Sequence, residues 1–149
     1  MIPEFDEHGH LPPGIHEATI DEVIERFSRP RSRIRTSRTK KLRAFYSFIK
    51  PHIDKLYIDG SYTTNKLAPD DVDIVLFFRE HVIKNLRVQQ RFRKFLDKDK
   101  FHLQIIFAFP EDARSLAIAV GHVDYFQKND RDFDPPVTKG IILVRSNND

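Results

Sequence analysis

Pro30, Pro51, Pro69 and Pro110 cut the chain into segments too short for one long continuous element. Proline has no amide hydrogen to donate and its ring clashes with the preceding helical turn. Two kinds of hydrophobic pattern lie between these breaks. After Thr19, the residues Ile20, Val23, Ile24 and Phe27 recur at helical spacing. Glu17, Asp21 and Glu22 stand near the start of that pattern, where negative charge suits the helix dipole. A second helix is expected through Ile34, Leu42, Phe45, Phe48 and Ile49, and Pro51 ends it. Residues 82–96 and 113–126 carry the same periodicity. The apolar runs 55–59, 72–78, 101–109 and 139–144 are bounded by Gly, Pro and polar residues and read as strands, and 130–136 reads as a turn.

The alternation of these patterns predicts an α+β domain, with one mixed β-sheet of about four strands flanked by helices. All 149 residues are expected to form a single domain. A chain of this length can bury about two thirds of the surface it exposes when unfolded, so it needs no staple. With no Cys, disulfides and thiolate zinc sites are excluded. Residues 1–15 hold three Pro and two Gly and read as an extended N-terminal arm, pinned by Ile2, Phe5, Leu11 and Ile15. No apolar run approaches the roughly 20 residues needed to span a bilayer, and the acidic start lacks a signal-peptide core. A cytoplasmic protein with no membrane partner is therefore expected.

The net charge of +3 conceals a strong asymmetry. Residues 26–50 contain ten Lys and Arg and no acid, which leaves 15 basic against 22 acidic residues elsewhere. A local positive field attracts phosphates and acidic surfaces whatever the fold, although a solvated helix face has the same composition. On the first reading, Arg31, Arg33, Arg35, Arg38, Lys40 and Lys41 are candidates to receive an RNA or protein acceptor.

Chemistry is concentrated between the first two expected strands, in Ile58-Asp59-Gly60-Ser61 and Asp70-Asp71-Val72-Asp73-Ile74. Side chains alternate across a strand, so Asp71 and Asp73 project from one face while Val72 and Ile74 enter the core. Two carboxylates on one face repel, and a hard, oxygen-loving ion such as magnesium turns that repulsion into coordination. Gly60 permits close approach of backbone to a phosphate, and Ser61 adds a hydroxyl and an N–H at the strand end. A metal beside a phosphate cradle suggests a nucleoside triphosphate, and Lys139 could reach a phosphate from the last strand. No Walker loop and no Ser-His-Asp order is present.

Gly60-Ser61, nine residues, then Asp71-Val72-Asp73 resembles the signature of the DNA polymerase β-like nucleotidyltransferase superfamily in its minimal bacterial form. The two ends of the chain, Phe5 with residues 11–16 and Lys139-Gly140-Ile141, look like an uncharacterised bacterial group of nucleotidyltransferase-like proteins. The resemblance implies that Gly60 and Ser61 grip the triphosphate, with Lys66 and Lys139 as further nucleotide-binding residues. It also implies that Asp71 and Asp73 bind magnesium, that ATP is the first candidate substrate, and that a nucleoside monophosphate is transferred with release of pyrophosphate. A third carboxylate is expected on the neighbouring strand.

That strand is the point of departure. Alternation over 101–107 would put His102, Gln104 and Ile106 on one face, and Gln104 stands about where the family has its acid. An amide oxygen can ligate weakly but cannot take a proton, so His102 becomes the candidate base. The same gap supports an alternative, a catalytically degenerate binding module. Some minimal relatives serve in this way as the antitoxin or regulatory half of a bacterial two-gene system, acting on a partner protein.

Overall fold

The computed structural model describes residues 2–128 and 138–145. Its sheet is mixed and has five strands, β1 (Ile15–Thr19), β2 (Ile53–Asp59), β3 (Val72–Phe78), β4 (Leu103–Ala108) and β5 (Ile141–Arg145), in the order β1-β5-β2-β3-β4. The strand beyond the four expected is β1. It has one buried residue, Ala18, in the run Ile-His-Glu-Ala-Thr, so little hydrophobic alternation marks it, and it gains its place by parallel pairing with β5. The arm before it, residues 2–14, forms no helix or strand. Ile2 and Leu11 of the arm are nevertheless buried, and the Leu11 and Gly14 carbonyls accept from the Gly140 and Ile141 amides. The expected turn at 130–136 lies outside the described residues.

Helices cover both faces. On one side α1 (Ile20–Phe27), α2 (Arg33–Ile49) and α3 (Leu86–Lys94) contribute Val23, Phe27, Leu42, Phe45 and Phe92 to a core with Leu56, Ile58, Ile74 and Leu76. Thr19 starts α1 with a capping box, its side chain accepting from the Glu22 amide while Glu22 reaches back to the Thr19 N–H. Phe78 and Phe92 meet edge to face at 5.0 Å, the arrangement favoured by ring quadrupoles. On the other face α5 (Ala113–Lys128) sets Leu116, Ala119 and Val123 against Tyr57, Val75, Ala108 and Ile141. Between α3 and β4 lies a single turn, α4 (Lys98–Phe101), capped by the Asp97 side chain. Among the described residues no helix is long and apolar enough to cross a membrane.

The basic helix α2 buries Leu42, Phe45 and Ile49 as expected and departs from expectation in its first turns. Its buried stripe is Arg35, Thr39, Leu42, Phe45 and Ile49, and Ile34 is 40% exposed. Arg35 is 0% exposed and is therefore no part of an acceptor surface. Its guanidinium donates to the carbonyls of Phe27 (3.1 Å), Tyr62 (2.8 Å), Thr64 (2.7 Å), Ser61 (3.4 Å) and Lys66 (2.9 Å). Burial, followed by the charge of Arg29, pulls its pKa down to about 10, which still leaves it charged at neutral pH. The planar fork of five N–H donors suits this task, since each donor can meet a carbonyl that would otherwise be buried without a partner.

The N-cap of α2 and two residues on the helix extend the grip. Ser32 Oγ donates to the Leu67 carbonyl at 3.0 Å, Arg38 Nε to that of Asp70 at 2.8 Å, and Thr39 Oγ1 lies 2.6 Å from the Tyr62 hydroxyl. The segment between β2 and β3 is thus held from one helix. Replacing Arg35 with Met should cost about 3–5 kcal/mol in urea unfolding, because a buried hydrogen-bond network loses its donor. Arg35→Lys should recover little of that, whereas Arg38→Ala, at a partly exposed position, should cost about 1 kcal/mol or less.

Candidate functional site

β2 ends at Asp59, and Gly60 turns the chain with φ of +75° into a 3₁₀ turn over Gly60–Thr63. A side chain at that φ is disfavoured, and a Cβ on Gly60 would land on the Asp73 carboxylate. The glycine therefore sets the closeness of the turn to the acid. Thr63 and Thr64 hydroxyls donate to the Gly60 and Ser61 carbonyls at 3.2 and 2.7 Å, which fixes the turn from within. The Val72 amide donates to the His102 carbonyl at 2.9 Å, and this bond sets where β3 begins beside β4.

Cross-strand register assembles the site. Asp59 pairs with Asp73 across β2 and β3, and Asp73 pairs with Gln104 across β3 and β4. Directly opposed residues share a face with Cβ atoms about 5 Å apart, so Asp59, Asp73 and Gln104 form one row on the face that α5 covers. Asp71 precedes the first residue of β3, is half-buried, and adds its charge two positions before Asp73. Val72 between them is fully buried on the opposite side.

The carboxylates of the row are buried close to one another, which disfavours their charged forms. Burial, then the Asp71 charge, raises the Asp73 pKa to about 6, against the pull of Lys139 and Lys98. Asp59 is raised well above the usual carboxylate range by burial and by Asp73, again with Lys139 opposing. Lys139 is itself buried, beside a chain segment anchored by its amide to the Gln127 carbonyl at 2.8 Å.

The other expected residues fall into distinct places. Gly60 lies against the Asp73 carboxylate, and the carbonyl of Ser61 after it is taken by Arg35 and Thr64. Lys66 is exposed, and it is its backbone carbonyl that Arg35 holds. His102 is not on the strand face with Gln104. It caps α4 in the left-handed region with φ of 52°, because the polar run 97–100 makes a helical turn before β4 starts at Leu103. Of the basic set, Arg31, Arg33 and Lys40 are exposed, Arg38 and Lys41 are partly exposed, and Arg35 is internal. Arg33, Lys40 and Lys41 line a surface cleft of about 590 Å³ with Phe101, whose ring centroid lies 5.4 Å from the Lys41 ammonium. Asp59 was not among the sequence candidates, and its signal was a carboxylate closing an apolar strand immediately before the glycine turn.

The chain belongs to the family of unknown function DUF6932, whose sequence model matches residues 3–145. No curated protein and no solved structure gives a match. Membership thus covers the whole site, including arm and closing strand, and assigns it no chemistry.

The donor set fits a hard divalent cation, since it is made of carboxylate oxygens, two of which, on Asp59, are buried with no hydrogen-bond partner among the described residues. Among the described residues, no three acid or imidazole groups are already closed into a metal-holding cluster. Side chains of like charge spread apart until an opposite charge draws them together.

A pH measurement checks this electrostatic arrangement. The folded-state pKa of Asp73, about 6, lies above its ordinary 3.8, so the folded state resists ionisation. The associated stability is complete below about pH 3.8 and is lost as pH rises through 6. In metal-free buffer, Asp73→Asn should therefore gain on the wild type by up to about 3 kcal/mol between pH 4 and pH 7, measured by chemical unfolding.

Proposed function

We propose that this protein is a small magnesium-dependent nucleotidyltransferase that moves a nucleoside monophosphate from a triphosphate, ATP first among the candidates, to an RNA or protein acceptor. The observation that carries the reading is the approach of Gly60 to the Asp73 carboxylate, with Asp71 beside it and a turn fixed by Arg35. Backbone that close to a carboxylate pair leaves a phosphate chain and a cation to share one small space. The mixed α+β sheet is compatible with the DNA polymerase β-like arrangement that the Gly-Ser and Asp-Val-Asp spacing resembles.

In the proposed reaction an acceptor hydroxyl oxygen bonds to the α-phosphorus, the bond from that phosphorus to the bridging oxygen breaks, and pyrophosphate leaves with that oxygen. The hydroxyl proton passes to a carboxylate or to water. Gly60 and Ser61 would flank the phosphates, Lys139 would balance their charge from behind, and Asp71 and Asp73 would hold magnesium. Magnesium supplies charge neutralisation for the phosphates when bound. The acceptor would reach the site from the cleft of Arg33, Lys40 and Lys41, next to the turn α4, whose Lys98 acts electrostatically on Asp73.

Gln104 supports a second reading, a degenerate module that binds nucleotide and a partner protein without turnover, because it stands in register with Asp73 where a third acid would complete the set. Incubation with each α-labelled triphosphate, magnesium and candidate acceptors separates the two. Label transfer that falls at least about 100-fold in Asp71→Ala is expected for the enzyme. Calorimetric binding of nucleotide with no transfer would select the module, and neither binding nor transfer would dismiss both. If the acceptor is RNA, its affinity should fall steeply between about 50 and 200 mM salt, and less steeply after Arg33→Glu and Lys40→Glu together.

A further inference from the structure

Asp59 has no role in the function proposed so far, and its position is costly. It is 0% exposed, neither carboxylate oxygen has a hydrogen-bond partner among the described residues, and it stands directly opposite Asp73 across the β2–β3 ladder. Buried carboxylates normally receive hydrogen bonds, because desolvation without compensation costs several kcal/mol. Asp59 closes an apolar strand, where Asn, Ser or a hydrophobic residue would fit the same backbone without charge.

We propose that Asp59 is the third carboxylate of the metal site, supplying an oxygen to a divalent cation from β2 in place of the acid that β4 lacks at Gln104. The inference rests on the metal-binding reading of Asp71 and Asp73. Three features of the structure carry it. Asp59 and Gln104 flank Asp73 on its two neighbouring strands, one antiparallel and one parallel to β3, so each sets a side chain beside the central acid. The unpartnered oxygens belong to the residue that faces Asp73, and are therefore available to a cation held there. The next residue, Gly60, brings the backbone so close to Asp73 that even a methyl group would collide with the carboxylate. A tight turn at that point keeps the end of β2, and Asp59 with it, against the acid pair.

A structural role predicts different behaviour. If Asp59 serves only as an internal partner for the nearby charge of Lys139, removing its charge weakens the fold and leaves metal affinity alone. If Asp59 is a ligand, removing its charge relieves repulsion in the metal-free protein and weakens the cation.

Mn²⁺ binding to the full chain, in the presence of a nonhydrolysable ATP analogue, can be followed by electron paramagnetic resonance alongside metal-free melting. Asp59→Asn is expected to weaken Mn²⁺ at least tenfold with a melting temperature equal to or above that of the wild type. Wild-type Mn²⁺ affinity in Asp59→Asn overturns the inference, as does a tenfold loss accompanied by a lower metal-free melting temperature. Asp71→Asn and Asp73→Asn separate this failure from that of the underlying reading. If they lose Mn²⁺ and Asp59→Asn does not, only the role of Asp59 falls. If the wild type binds no Mn²⁺, or these two variants bind it normally, the metal-binding reading falls and the role of Asp59 with it. Should Asp59→Asn fail to fold, wild-type protein carrying ¹³C-labelled aspartate carboxyls decides the question. Mg²⁺ with the analogue should move the Asp59 resonance together with those of Asp71 and Asp73, and an unmoved Asp59 resonance overturns the inference.

Discussion

The buried guanidinium of Arg35 is the interaction on which the site depends. The chain between β2 and β3 has no strand or α-helix to satisfy its carbonyls, yet it must lie against the core so that Gly60 can approach Asp73. One side chain on a rigid helix collects the carbonyls of Ser61, Tyr62, Thr64 and Lys66 and ties them to that of Phe27 at the end of α1. A charge held this way is expensive to desolvate, and its donors offset that cost only because every direction of the fork meets an acceptor. Tyr62, packed at 5.7 Å from the Phe27 ring and bonded to Thr39, closes the apolar side of the same arrangement.

This use of Arg35 changes the meaning of the charge asymmetry. Ten basic residues over 26–50 suggest a broad contact surface, but Arg35 is internal and Arg38 is bonded to the Asp70 carbonyl. Arg26 stacks over Phe5 at 4.5 Å and donates to the Pro3 carbonyl, which fastens the arm. The basic residues that remain at the surface are divided, with Arg33, Lys40 and Lys41 beside Phe101 in one cleft and Arg43 and Lys50 lining another. Local composition counts charges without knowing which are consumed in folding.

Much of this was legible in the sequence where the determining interactions are local. Prolines bound the elements, and the charge of Asp71 acts on Asp73 because the single residue Val72 separates them. Arg35 was legible in principle. It sits four residues before Thr39 and seven before Leu42, in frame with Phe45 and Ile49, but Ile34, the apolar residue beside it, reads as the first position of the same stripe. His102 was misplaced because a one-turn helix leaves too few residues for a period, and the capping Asp97 lies in a run of charges. β1 was missed because its partner, β5, lies at the other end of the chain.

Asp59 was hidden for the same reason as β1, since its importance comes from register across a ladder and not from its neighbours in sequence. Antiparallel pairing of β2 with β3 sets Asp59 opposite Asp73, and shifting that register by one residue would turn the carboxylate to the α1–α2 face, among Ile58, Ile74 and Leu76. The hydrophobic pattern of both strands forbids such a slip, because it would send Leu56, Ile58, Ile74 and Leu76 out of the core together. The core that fixes the fold therefore also fixes the distance between the two acids. In this arrangement an amide at Gln104 is the compatible residue on the remaining side, for a third acid in the same row would add repulsion that Lys139 and Lys98 already balance only in part.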